Sequence, residues 1–184
     1  MNKKRLFSLA IVYLLFIVVL IFTTDIVLSI PLKNMYSLRK IKSNELDNLS
    51  SEIKYRVDSF IQNQDILFTV EFTGWAFIQS EQEKDNKQIK LVFVSGANQY
   101  EVETELQERF DLRAVLQENK ISGYKHGFMT RFSPLQMKNG IYKLYIFCYE
   151  NEATSGIVDT GRMYIKTYRD FSEYQVIPAV EPDQ

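Results

Sequence analysis

"IYKLYIFCY", residues 141 to 149, is the most strand-like stretch of the chain. One set of alternate residues is typical of a core: Tyr142, Leu144, Ile146 and Cys148. The other set is aromatic: Tyr145, Phe147 and Tyr149. Successive side chains of a strand point to opposite sides. The stretch therefore predicts a strand with one buried face and one aromatic face, and the aromatic face is either covered by the protein itself or meets another molecule.

The same period of two recurs on both sides of this strand. Further strands are predicted over residues 66–78, with a bulge near Gly74, and over residues 89–94, 100–105, 127–132 and 162–168. Turn signals such as Ser95–Asn98 and Asn139–Gly140 separate them. About seven short strands spaced in this way predict an all-β fold. We expect an antiparallel, immunoglobulin-like β-sandwich over residues 64–170, without the antibody-type disulfide because Cys148 is the one cysteine.

The N-terminus predicts a membrane anchor over residues 1–32. Three cations, Lys3, Lys4 and Arg5, precede an uncharged apolar run from Leu6 to Phe22, and apolar residues resume after Asp25. A cleaved signal peptide is the alternative. Because cations lie on both sides of the span, they do not choose its orientation. The short basic leader favours a single-pass protein of the cytoplasmic membrane, with its N-terminus inside and its C-terminal domain extracytoplasmic. The Lys-, Ile- and Asn-rich composition is typical of a bacterium with an AT-rich genome.

Two further segments flank the predicted sandwich. Residues 33–63 are expected to form a basic linker and an amphipathic stalk helix over 43–63. Apolar residues recur there at steps of three and four: Leu46, Leu49, Ile53, Val57 and Phe60. This helix is expected to pack on its own domain, and a homodimer or partner-helix contact is the alternative. Residues 171–184, with two prolines, are expected to form a flexible tail.

Composition excludes several classes of function. The net charge of −1 gives no electrostatic case for nucleic acid. One histidine and one cysteine cannot build a Cys/His metal cluster, and no metal or other cofactor is expected. His126 is interpreted as a surface or turn residue and Cys148 as core packing. The carboxylates Glu101, Glu103 and Glu105 are interpreted as the solvated face of one strand. No phosphate loop or nucleophile motif occurs, so the chain is not expected to be an enzyme.

Aromatic residues are the candidate ligand-binding groups, because thirteen Phe, eleven Tyr and one Trp are present. Sugars bind proteins by laying their C–H face on an exposed ring. The candidate rings are Trp75, Tyr100, Tyr124, Tyr145 and Tyr149, with Phe147 beside the last two. For Trp75 a place in the core is the first interpretation, and a ligand-binding ring is the alternative.

The stretch from Glu108 to Phe132 is predicted to be a structural crossover. Arg109 and Asp111 are too close in sequence to face each other along a helix. In a turn they can bond backbone groups and fix the corner between two sheets. Gly123 and Gly127 permit conformations that other residues resist. A ligand-facing loop is the second interpretation, and an active site is the third.

The order of these motifs resembles small β-sandwich modules of bacterial cell-envelope polysaccharide proteins, which often lie beside glycosyltransferase domains. The matching pieces are Gly74–Ala76, the IKLVFVSG strand, Arg109–Leu112, Gly127–Phe128 and Gly140–Leu144. The resemblance covers about Phe68 to Tyr168. This chain has Leu112 where the modules have valine, and no glycosyltransferase domain is expected in it.

Together these features lead us to expect a membrane-anchored, non-catalytic accessory protein of cell-surface polysaccharide assembly or attachment. It would meet a glycan or the assembly proteins. The alternative is a structural interaction subunit of a membrane protein complex that binds no glycan. Exposed aromatics with polar neighbours would favour the first function, and a flat apolar patch would favour the second.

Overall fold

A computed structural model describes residues 13, 15, 35–41, 52–63, 67–78, 87–119, 121, 123, 125–151 and 154–175, without the side chains of residues 150, 151 and 154. The chain divides into two compact units, Met1–Met35 and Tyr36–Gln184. In the first unit Tyr13 and Leu15 are helical. No helix among the described residues is long and apolar enough to cross a membrane. Apart from those two residues, the anchor expected over residues 1–32 lies outside the described ranges.

The described part of the second unit is built almost entirely from β-strands. These are β1 (Leu38–Ile41), β2 (Ile53–Gln62), β3 (Val70–Ile78), β4 (Gln88–Ser95), β5 (Asn98–Glu103), β6 (Glu105–Gln107), β7 (Gly127–Phe132), β8 (Gly140–Asn151), β9 (Thr154–Lys166) and β10 (Phe171–Glu173). A short helix, α1 (Arg113–Glu118), follows a 3-10 turn at Phe110–Leu112, and another 3-10 turn lies at Pro134–Gln136.

The strands form two antiparallel sheets, which confirms the predicted all-β, sandwich-like fold. The six-stranded sheet has the order β1-β5-β4-β8-β9-β10, and the four-stranded sheet has the order β2-β3-β7-β6. The chain passes directly from one sheet to the other at Thr104, between β5 and β6, where the Thr104 hydroxyl donates to the Ile89 carbonyl at 2.7 Å. On the opposite side of the sandwich, Arg162 of β9 donates to the Val57 carbonyl of β2 at 3.0 Å.

Aromatic side chains fill the space between the sheets. Phe72 of β3 packs against Phe93 of β4, with ring centroids 5.6 Å apart, and against Tyr164 of β9 at 5.2 Å. All three side chains are fully buried. Large rings from both sheets dominate the core because each contributes a large apolar surface and packs favourably at tilted or edge-to-face angles.

The prediction of a stalk helix over residues 43–63 is wrong for its second half, because Ile53–Gln62 is strand β2. Residues 42–51 lie outside the described ranges. A bulge between Val57 and Ser59 interrupts the pairing of β2 with β3. Since the bulge adds one residue to the alternation, Ile53, Val57 and Phe60 reach the core at steps of four and three. Those steps imitate the spacing of a helix.

The tail expected over residues 171–184 begins instead as strand β10, which pairs with β9. Phe171 is fully buried and stacks on Tyr164, with ring centroids 5.5 Å apart. Burial of one large ring orders this short segment. Residues 176–184 lie outside the described ranges.

The expectation that Glu101, Glu103 and Glu105 share one solvated strand face is also wrong. Because the chain changes sheet at Thr104, Glu105 belongs to the four-stranded sheet and the other two belong to the six-stranded sheet. Glu101 is only 7% exposed. Its carboxylate lies 2.5 Å from Arg39 and 3.5 Å from Lys90.

Candidate functional site

The most distinctive surface is the outer face of the six-stranded sheet, meaning the side that points away from the four-stranded sheet. Along β8 the inward residues are fully buried, as predicted: Tyr142, Leu144, Ile146 and Cys148. The outward residues Tyr145, Phe147 and Tyr149 are partly exposed. We call these three rings the aromatic stripe. The alternation read from the sequence is therefore confirmed for this strand.

On both neighbouring strands the residues beside the aromatic stripe are mostly polar or charged, with the buried Val92 and Ile157 as the two apolar ones. Across β4 and β9, Tyr145 lies between Val92 and Asp159, Phe147 between Lys90 and Ile157, and Tyr149 between Gln88 and Ser155. Ring faces flanked by hydrogen-bonding groups are the combination that a sugar ring requires, because its C–H face is apolar and its hydroxyls are polar.

Asp159 fixes one end of the aromatic stripe. Its carboxylate accepts a hydrogen bond from the Gly161 backbone N–H at 2.8 Å and lies 3.9 Å from the Lys143 ammonium. Partial burial, together with the charge of Asp159 and a hydrogen bond to it, raises the pKa of Tyr145. The Tyr145 hydroxyl is therefore protonated at neutral pH, and Tyr145 lies opposite Asp159 on the neighbouring strand.

Trp75 lies on a different surface, the outer face of the four-stranded sheet. Its ring stacks on Phe77, with centroids 5.6 Å apart, and is only partly exposed. The α1 segment covers this region with Leu112, Leu116 and Ile121. Trp75 therefore packs in a small second core, and the structure does not bring it together with Tyr145 and Tyr149.

The two remaining predicted rings do not join the aromatic stripe either. Tyr100 is 4% exposed, and its ring meets Tyr142 edge to face at 6.0 Å. The expectation of an exposed ring at Tyr100 is not met, because alternate residues of β5 point inward and carry this side chain into the core. Tyr124 lies outside the described residues.

Arg109 and Asp111 bond each other, which we did not expect for residues two apart. The Arg109 guanidinium donates to both Asp111 carboxylate oxygens at 2.8 and 2.7 Å, and to Asp58 of β2 at 2.6 Å. It also reaches the Gly74 carbonyl of β3 at 3.4 Å. The side chain thus crosses the outer face of the four-stranded sheet and ties the chain at Arg109 to β2 and β3.

The structure therefore places the Arg109 segment within one sheet, between its neighbouring strands β6 and β7, and not at a corner between two sheets. Gly123 and Gly127 contribute to the Arg109 segment in different ways. Gly123 has a positive φ of 76°. At Gly127 a Cβ atom would lie 2.6 Å from Arg109 Cγ, so the absence of a side chain allows the arginine to pass over β7.

His126 lies in a turn, as predicted, but it is only 3% exposed and so is not a surface residue. Its Nδ1 lies 2.6 Å from the Lys87 ammonium, and its ring meets the edge of Phe77 at 5.7 Å. Because a lysine ammonium can only donate, the imidazole accepts at Nδ1.

The sequence analysis did not predict the cluster in which Glu101 contacts two cations. Arg39 of β1 and Lys90 of β4 flank Glu101 of β5 on the outer face. The basic pair Arg39-Lys40, which precedes an acidic strand in the chain, was the one feature that could have suggested this cluster. The pairing of β1 with β5 cannot be read from the sequence, because the two strands are far apart along the chain. No group of three or more His, Cys, Asp or Glu residues within the described ranges could hold a metal ion.

Comparison with known proteins gives no family model, no curated protein and no solved structure that matches this chain.

Proposed function

We propose that the chain is a non-catalytic binding protein of the cell envelope that holds a cell-surface glycan on the outer face of its six-stranded sheet. The observation that carries this proposal is the aromatic stripe. Three rings project from alternate positions of one strand, remain partly exposed, and have polar groups beside them. The sheet holds them on one face of a strand, so that binding need not order the backbone that carries them.

The cellular setting is part of the same proposal. The basic leader and apolar run of the N-terminus would anchor the chain in the cytoplasmic membrane, with the sandwich extracytoplasmic. The resemblance to immunoglobulin-like modules of polysaccharide proteins supports a place in polysaccharide assembly or attachment. The Gly74 and Arg109 motifs of that resemblance meet at one contact, since Arg109 donates to the Gly74 carbonyl.

The test is co-sedimentation of the full-length chain, purified in mild detergent, with insoluble cell-surface polysaccharide from the organism that makes it. We expect saturable binding that Tyr145→Ala and Tyr149→Ala each weaken by about fivefold, since one aromatic contact contributes about 1 kcal/mol. Tyr168→Ala is the matched control, because Tyr168 is 79% exposed and lies in the β9–β10 loop. Circular dichroism checks that each variant is folded. Absence of binding by the folded wild-type chain would refute the proposal.

The outer face near the start of β8 favours a second function. There the chain would act as an interaction subunit that binds another protein through the same sheet. Near the start of β8 the outward side chains are mostly apolar: Val94, Ile141, Met163, Ile165 and Tyr174. Ile141 is 43% and Tyr174 is 40% exposed. Crosslinking in native membranes from a photoreactive residue at position 141 would reveal a protein partner. The same experiment with the residue at position 145 would show whether that partner also covers the aromatic stripe.

A further inference from the structure

The second core, in which the α1 segment packs over Phe77 and Trp75, is in contact with the one histidine of the chain. His126 is 3% exposed, and its ring meets Phe77 edge to face at 5.7 Å. Trp75 stacks on the same phenylalanine, with centroids 5.6 Å apart. Because Phe77 contacts both rings, a displacement of the imidazole changes the surroundings of Trp75.

The α1 segment has a polar contact at each end. Before it, Arg109 donates to Asp111 and Asp58. After it, Nδ1 of His126 lies 2.6 Å from the ammonium of Lys87, which directly precedes β4 of the six-stranded sheet. An arginine does not lose its proton in proteins, whereas a histidine titrates near neutral pH. Of the two contacts, the one at His126 is therefore sensitive to mild acid.

Protonation of His126 is incompatible with its contact to Lys87. An ammonium has three donors and no acceptor, so the neutral imidazole accepts at Nδ1. A protonated Nδ1 is itself a donor, and two positive groups would then face each other at 2.6 Å beside a buried ring. This holds whatever else the two side chains contact, because Nδ1 has a single lone pair. One side chain must move away from the other.

The imidazole is the side chain around the second core that we expect to change charge in mild acid. The other described charged groups on the surrounding elements are Lys54, Arg56 and Asp58 of β2, Glu103 of β5, Arg113 and Glu118 of α1, and Lys125 of the turn. Lysine and arginine ordinarily titrate well above pH 8, and carboxylic acids titrate near pH 4. Histidine is the side chain whose ordinary titration falls between about pH 5 and pH 8.

We propose that His126 acts as a pH-sensitive contact that keeps the second core closed at neutral pH and opens it in mild acid. At neutral pH the imidazole accepts from Lys87 and packs on the edge of Phe77. When the pH falls, the protonated ring turns towards water, the packing under α1 loosens, and Trp75 becomes exposed. This device does not depend on glycan binding, because Trp75 and the aromatic stripe lie on the outer faces of different sheets.

The experiment follows the fluorescence of Trp75, the one tryptophan, in the full-length chain in mild detergent as the pH is lowered from 8 to 5. We expect the emission to shift to longer wavelength, and acrylamide to quench it more strongly, in one reversible step. His126→Gln should remove the step, because an amide oxygen can accept from Lys87 but does not titrate. Far-UV circular dichroism should stay constant. Loss of the β-sheet signal at the same pH would mean that the whole fold unfolds, and the proposal would fail.

Lys87→Met distinguishes this contact from a histidine that is merely buried. Without the ammonium the imidazolium meets one like charge fewer, so the step should move to higher pH by about 0.5 to 1 unit. Lys125→Met is the matched control at an exposed lysine of the same turn and should leave the step in place. An unchanged midpoint in Lys87→Met, a step that persists in His126→Gln, or constant emission of the wild-type chain would each overturn the proposal. If His126→Gln does not fold, the midpoint of Lys87→Met still decides.

Discussion

Arg109 shows how one side chain holds a long connection against a sheet. Its guanidinium joins Asp111, two residues away, to Asp58, fifty-one residues away. Hydrogen bonds to Asp111 and Asp58 raise the pKa of Arg109, so its charge is constant at any pH at which the fold exists. The arginine lies directly over Gly127. The stability of the Arg109 contact therefore depends both on the carboxylates of Asp58 and Asp111 and on the lack of a side chain at Gly127.

Replacing Gly127 with alanine should destabilise the fold. The added Cβ would lie 2.6 Å from Arg109 Cγ and 2.9 Å from the Gln107 carbonyl oxygen. Either the arginine or β6 must move, and we expect a loss of about 1 to 3 kcal/mol in the free energy of unfolding. Urea denaturation measures it. Gly161→Ala is a comparison in open space, where the positive φ of 68° alone adds strain, and an equal loss in both variants would contradict the clash.

Acid should weaken the Arg109 contact through Asp111. The hydrogen bond from Arg109 lowers the pKa of Asp111 below its ordinary value. A carboxylate whose folded-state pKa is depressed stabilises the fold above its unfolded pKa of about 4, and this contribution is lost as the pH falls through the folded value. Asp111→Asn should therefore flatten the acid side of the pH–stability curve below about pH 4. A variant curve parallel to wild type would show that Asp111 does not contribute.

At the scale of elements, α1 acts as a cover for one surface of the four-stranded sheet. Leu112 and Leu116 of this segment, with Ile121 after it, pack on Phe77 and Trp75. A helix of six residues has too few backbone hydrogen bonds to be stable alone. Its order therefore comes from this packing and from the Arg109 contacts that precede it.

Leu116→Ala should loosen this cover. Leu116 is 2% exposed, and removing a buried leucine side chain costs about 2 to 5 kcal/mol, less where neighbours can collapse. Because Trp75 is the one tryptophan, its fluorescence should shift to longer wavelength as water reaches the ring. The exposed neighbour Gln117→Ala is the matched control. An unchanged emission spectrum in a destabilised Leu116→Ala protein would show that α1 does not shield Trp75.

For the whole molecule, the two sheets are joined through a core of aromatic rings that includes buried tyrosines. Burial raises the pKa of both Tyr142 and Tyr164 to about 12. The Tyr142 hydroxyl donates to the Lys138 carbonyl at 2.8 Å. These hydroxyls are compatible with the core only while they are protonated.

The fold should therefore lose stability in base. An unfolded tyrosine ionises near pH 10, so the contribution of Tyr142 and Tyr164 is complete below about pH 10 and is lost as the pH rises towards 12. Urea midpoints measured from pH 8 to pH 12 should fall across this window. Tyr142→Phe should cost about 1 kcal/mol at neutral pH and should flatten the decline. Tyr168→Phe, at a ring that is 79% exposed, should leave the decline unchanged.

The β-class of this protein and the two faces of β8 were predictable from the amino-acid pattern alone. Both depend on the alternation of side chains along one strand, which is a local property of the backbone. It also determined that Cys148 is buried and that residues 127–132 form a strand. The outward position of the aromatic stripe follows from the same alternation.

Which residues contact each other was not predictable from the sequence. The bulge in β2 gave its apolar residues a helical spacing, and the sequence pattern therefore predicted a helix where the structure has a strand. The change of sheet at Thr104 separated three glutamates that share one period, and the register of β1 and β4 against β5 placed Arg39 and Lys90 on Glu101. Such contacts depend on pairing between strands that are far apart in sequence. That pairing is fixed by burial of both sheets together, and no single stretch of residues contains it.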